Sequence, residues 1–190
     1  MFPIVFSIHQ LIEGVLWLTI GRGQSQQLVQ WLTVGYLVVA YCLWPVVSPA
    51  ALYLIEPDAH KKKRLLSLLV LGAGASAYIL YYMSRSHLEA SIMQHSIYYD
   101  SDIPHPNELT ALYALATLLP FFFSSYPPIQ VIGVLNFIFC GIAFYVYHVT
   151  FHSVWCFFAA AFSINVYLFL RWLHRGQRQK GVGDDGTRQQ

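Results

Sequence analysis

His9, Gln10 and Glu13 are the side chains in this chain best placed to do chemistry, because they sit where water is scarce. All three fall in the run FSIHQLIEGVLWL, Phe6 to Leu18, which is apolar enough to lie in a bilayer. A carboxylate at that depth is costly unless something pairs with it or uses it. His9, Glu13 and Trp17 follow an i, i+4, i+8 spacing, which puts them on one helical face. A His–Glu pair one turn apart can share a proton. Counting about 1.5 Å per residue from the inner end of the first span, at Phe2, His9 lies roughly 10 Å deep and Glu13 roughly 15 Å, near the midplane.

Other apolar runs bring polar groups to the same slab of membrane. Asn136 and Asn165 each fall roughly 10 Å from the same surface by helical rise. Pro45 lies a little deeper, lacks an N–H, and leaves the Tyr41 carbonyl without its helical partner. The expected arrangement is a polar layer, with Glu13, His9, Gln10, Trp17, Asn136 and Asn165 as the candidate ligand-binding set. Two functions suit it. One is binding or translocation of a small solute or a proton. The other is a structural or assembly role, in which the polar groups join helices and hold no ligand. A kinked helix beside an intramembrane carboxylate is a transporter pattern, although no inverted repeat is evident.

The elements that must position these residues are membrane spans. Of 190 residues, 56% are hydrophobic and 11% charged, with a mean hydropathy of +0.49. A soluble domain carries about 25% charged residues, so the expectation is an all-α, polytopic transmembrane helical bundle with the lipid bilayer as its first partner. A small solute, a proton and a second copy of the chain (a homo-oligomer) are the other partners considered. The net charge is +2, and no basic stripe interleaves with aromatics, which argues against nucleic acid. Cys42, Cys140 and Cys156 lie in apolar runs without CxxC spacing and read as small buried hydrophobes.

Six spans are expected: Phe2 to about Ile20, Leu28 to Ile55, Leu65 to Met83, Leu109 to about Ser124, Ile129 to Tyr147, and Val154 to Trp172. They form one domain, residues 1–172, with an outer loop at 84–108, followed by a polar tail at 173–190 that is expected to be disordered. Lys61, Lys62, Lys63 and Arg64 share one loop, and Arg171, Arg175, Arg178, Lys180 and Arg188 lie at or beyond the last span. Six spans put both groups on one side, which the positive-inside rule makes cytoplasmic, together with both termini. Only Arg22 and Arg85 fall outside. Gly72 to Ala77 and Ala159 to Ser163 are small-residue faces suited to close helix packing.

Histidines gather on the outer side. His87, His95 and His105 share the loop with Glu89, Asp100 and Asp102, while His148 and His152 lie at the turn after the fifth span. Their number and kind suit zinc, with His148, His152 and His95 as the candidate metal set, although the spacing is irregular. Residues 87 to 99 alternate loosely, as a short strand pair capping the mouth of the bundle would.

FSIHQLIEGVLW, LWPVVSPAALYLIEP, the SS after the fourth span and SVWCFFAA together resemble an uncharacterised bacterial family of small multi-span membrane proteins, over nearly the whole chain. The resemblance implies a bacterial inner (plasma) membrane protein and no assigned activity. Members carry a further N-terminal span, opening on a Met-Cys-Phe-Ser run; were it missing here, the complete molecule would have seven spans and an outside N-terminus. They also tend to have Gln at the position of His9. A second resemblance is to alkaline-ceramidase-type membrane hydrolases. It is carried by Ser91 and His95, then Asp100 or Asp102, then His148 and His152, and it implies a zinc-dependent lipid or amide hydrolase. There, zinc would lower the pKa of a bound water that attacks the substrate. In that family the corresponding residues lie within spans, whereas Ser91, His95 and both aspartates here fall in a loop.

Overall fold

The computed structural model describes residues 2–93, 95–101, 104, 106–147, 150, 151, 153–161, 163, 164, 167 and 168. Helix α1 runs Phe2–Gly21. A turn with Gly23 at φ 61° returns the chain into α2, Gln26–Leu37; the left-handed φ suits glycine, which lacks a Cβ. The rod continues through a π-helical turn, Val38–Leu43, into α3, Trp44–Ile55. Then come α4, Ala59–Met83, strands β1, Leu88–Met93, and β2, Ser96–Ser101, and helices α5, Pro106–Phe122, and α6, Pro127–Val146. Residues 153–161 are helical.

Among the described residues, four helical rods are long and apolar enough to cross a membrane: Pro3–Gly21, Gln26–Ile55, Ala59–Met83 and Pro127–Val146. Of the six expected spans, the fourth is a shorter apolar helix, and the sixth falls partly outside the described residues. With 17 residues α5 reaches roughly 25 Å, a little less than the hydrocarbon thickness of about 30 Å. The all-α expectation also needs amending, because β1 and β2 pair antiparallel, with Ala90 opposite Tyr99 and Met93 opposite Ser96. This is the strand pair that the alternation at 87–99 suggests. The rods present Ile4, Leu11, Trp31, Leu54, Val70 and Phe137 to the outside, a surface too apolar for water and suited to lipid.

The centre of the bundle is the packing of α3 against α4 and α5. Pro45 cannot donate to the Tyr41 carbonyl, and the backbone widens into the π-helical turn just before it. Helix α4 exploits the irregularity. The Ser76 hydroxyl donates to the Cys42 carbonyl at 2.9 Å, and a Cβ on Gly72 would stand 2.0 Å from the Pro45 carbonyl oxygen. Only glycine permits that approach, which is how the small-residue face earns its place. On the other flank the Ser48 hydroxyl donates to the Thr117 carbonyl at 2.7 Å, tying α3 to α5.

Connections collect at two ends. The α3–α4 and α5–α6 turns meet through Tyr126, whose hydroxyl donates to the Ile55 carbonyl at 3.3 Å. At the opposite end the hairpin packs on α1 and α2, and the Ser96 hydroxyl donates to that of Thr150 at 2.8 Å. Asp58 caps α4 by accepting from the Lys61 N–H at 2.8 Å.

Candidate functional site

Helix α1 turns His9, Glu13, Leu16 and Thr19 inward, a stripe at helical spacing, and leaves Ile8, Leu11 and Val15 exposed. Glu13 is 9% exposed, eight residues from the α1 C-terminus, or roughly 12 Å along the axis. Its carboxylate accepts from the Gln10 amide at 3.2 Å and from the Tyr99 hydroxyl at 3.4 Å. Among the described residues, the Ser153 and Tyr36 hydroxyls are also hydrogen-bonded to it. The donors thus come from α1, α2, β2 and the helical stretch at 153–161. None is charged, and among the described residues no basic side chain pairs with Glu13.

His9 is fully buried but serves a different neighbour. Its Nε2–H donates to the Tyr36 carbonyl at 3.2 Å, and its ring stacks on that of Tyr36 at 4.2 Å. Tyr99 stacks on the far face of Tyr36 at 4.6 Å, with the planes within 8°. The expected His–Glu pair is therefore replaced by a Gln10–Glu13 bond and a column of three rings. The reason is local: donating to Tyr36 aims the imidazole along α2. Burial, then the charge of Glu13, push the Tyr99 phenol above its ordinary value, so it acts as a donor.

Above this group lies a polar cleft of about 610 Å³ between α1, α2 and β1, lined by Thr19, Gln24, Gln27, Gln30 and Glu89 among others. Thr19 stands six residues beyond Glu13, roughly 9 Å along α1, and β1 of the hairpin that carries Tyr99 lines the cleft.

The remaining candidates divide. Trp17 is half-buried on α1. Asn136 is not at Glu13; it is half-buried on the wall of a separate apolar cavity. Asn165, His148 and His152 lie outside the described residues, as does the tail at 173–190. His95 is exposed in the hairpin turn, and among the described residues no group of three metal-ligating side chains forms. His87 pairs with Glu89 at 3.3 Å, both exposed.

Sequence reasoning missed Tyr36, Tyr99 and Ser153 as partners of Glu13. It also passed over a second buried carboxylate. Glu56, 2% exposed beyond the end of α3, accepts from the Ser125 N–H at 2.8 Å, the Ser125 hydroxyl and the Asp58 N–H at 3.2 Å. Lys61 donates to the Ser125 hydroxyl at 3.0 Å. Desolvation pushes the Glu56 carboxyl up, but the Ser125 and Asp58 donors and the Lys61 charge outweigh it and hold it below the ordinary carboxylate value. A signal existed: Glu56 and Ser124–Ser125 belong to the quoted runs LWPVVSPAALYLIEP and SS, and Ser153 opens SVWCFFAA.

The chain belongs to the family of unknown function DUF6629, whose model matches residues 1–181. That agrees with its likeness to an uncharacterised family. No curated protein and no solved structure matches it.

Proposed function

We propose that this chain is a multi-pass protein of the bacterial inner membrane that binds or moves a proton or a small cationic solute at Glu13. In this reading the chain crosses six times, with the Glu56 end and both termini cytoplasmic and the hairpin outside. Lys61 to Arg64 at the Glu56 end support that orientation. The single observation that carries the function is a buried carboxylate held by four neutral donors. Such donors orient a negative charge without neutralising it, and a proton or small cation would supply the balance. The polar cleft above Glu13 supports access from the outer side, with Tyr99 covering the site. No observation favours the zinc hydrolase reading, since His148 and His152 lie outside the described residues and His95 stands apart.

The test is infrared difference spectroscopy of the purified chain across a pH titration, with Glu13→Gln beside it. The expected result is a carboxyl band that changes with pH in the parent and is missing from the folded variant. Reconstituted vesicles should likewise lose any dissipation of an imposed pH gradient. If parent and variant give the same difference spectrum and the same gradient decay, the polar group is interhelical bonding alone.

A further inference from the structure

A second cavity lies toward the Glu56 end of the bundle, among α1, α3, α5, α6 and the stretch at 153–161. Its volume is about 420 Å³, within the range of about 300–1,000 Å³ usual for small-molecule sites. Phe6, Trp44, Tyr113, Phe121 and Trp155 make its walls aromatic. Phe6 stacks on Trp44 at 4.1 Å and Trp155 meets Tyr113 edge-on at 5.4 Å, so these walls are held by one another. Glu13 is not on them. Among the described residues, the walls include no acid, lysine or arginine, and the polar ones are neutral, among them Ser48, Thr117 and Asn136.

Buried polar atoms on these walls are left over, the Thr117 hydroxyl and the Trp155 indole N–H among them. Trp155 is 4% exposed, and its indole N–H has no acceptor among the described residues. Buried donors are normally satisfied, and a lone one is unfavourable. Most of the wall is apolar, which disfavours filling the cavity with water alone. The abundant solutes at this depth are acyl chains.

We infer that this cavity binds a single acyl chain bearing a neutral oxygen acceptor, drawn from the lipid phase, with the Trp155 indole N–H donating to that oxygen. The aromatic walls contact the chain. Among the described residues a charged head group within the cavity would find no counter-charge, which is why the ligand's acceptor is neutral. The site stands apart from the Glu13 reading and survives its failure. The two are nonetheless adjacent: Cys156 lines the cavity, and its thiol is hydrogen-bonded to Tyr36, a neighbour of Glu13.

The experiment titrates the purified full chain in detergent with a brominated fatty-acid methyl ester and reads tryptophan fluorescence, since bromine quenches on contact. Trp31, 69% exposed, reports only bulk partitioning, which does not saturate. Trp44 and Trp155 report the cavity. The expected result is a saturable component in the parent that disappears in Ala159→Phe, which fills the cavity. Ala51→Phe fills the opposite wall and serves if the first variant does not fold, as judged by circular dichroism. In Trp155→Phe, with Trp44 reporting, the ester should bind several-fold more weakly. A brominated alkane of equal length should bind the parent several-fold more weakly than the ester does, and Trp155→Phe should abolish that preference. Quenching that is linear in the parent, saturable quenching untouched by a folded filling variant, or equal binding of ester and alkane would each overturn the inference.

Discussion

Among the described residues two carboxylates are buried, and they are treated in opposite ways. Glu56, at the end of α3, has two backbone N–H groups, a hydroxyl and the Lys61 charge around it. Glu13, within α1, has an amide and three hydroxyls, all neutral. The first set answers a permanent negative charge and fastens two turns together. The second, among the described residues, brings the carboxyl no opposite charge, on a helix apolar enough to cross a membrane. The contrast teaches that burial alone does not identify a site. What the carboxylate's partners can and cannot supply is the better guide.

Removing each acid tests the contrast. Glu56→Ala strands the Ser125 and Asp58 N–H groups and should have the largest effect, a loss of about 3 kcal/mol, read as a lower Tm in detergent. Acidification should do the same to the parent. Because the folded carboxyl sits below the ordinary value of 4.5, its contribution is complete above that pH and fades as pH falls through the folded value. Glu56→Gln should therefore flatten the acid limb of a Tm against pH curve; an unchanged slope would remove the clamp.

Glu13→Ala comes next. It frees Gln10 and Tyr99 of their acceptor and should cost about 2 kcal/mol, whereas Glu13→Gln keeps an acceptor and should stay within about 1 kcal/mol of the parent. Equal losses in both variants would make Glu13 resemble Glu56 and erase the distinction. The smallest effect belongs to Tyr99→Phe. It removes one long hydrogen bond of 3.4 Å while keeping the stack on Tyr36, so about 0.5 kcal/mol is expected. Its value lies elsewhere: a faster response of the Glu13 band to a pH jump would identify the hairpin as the cover of the site.

The sequence by itself carried the helical rods, their being apolar enough to cross a membrane, and the inward placement of His9 and Glu13. These are local properties: hydropathy per residue and a period of 3.6 are written in consecutive side chains. It also carried the hairpin, through alternation at 87–99, and the glycine on which α4 approaches α3. Partner choice was not local. His9 and Glu13 share a face, yet the imidazole donates to Tyr36 while the carboxylate meets Gln10. Tyr99 reaches it from 86 positions away, and Asn136, placed at a similar depth, faces another cavity. Depth along a helix is set by counting residues, but direction around the bundle depends on which rods touch, and only the tertiary packing of α2, the hairpin and the stretch at 153–161 decided that.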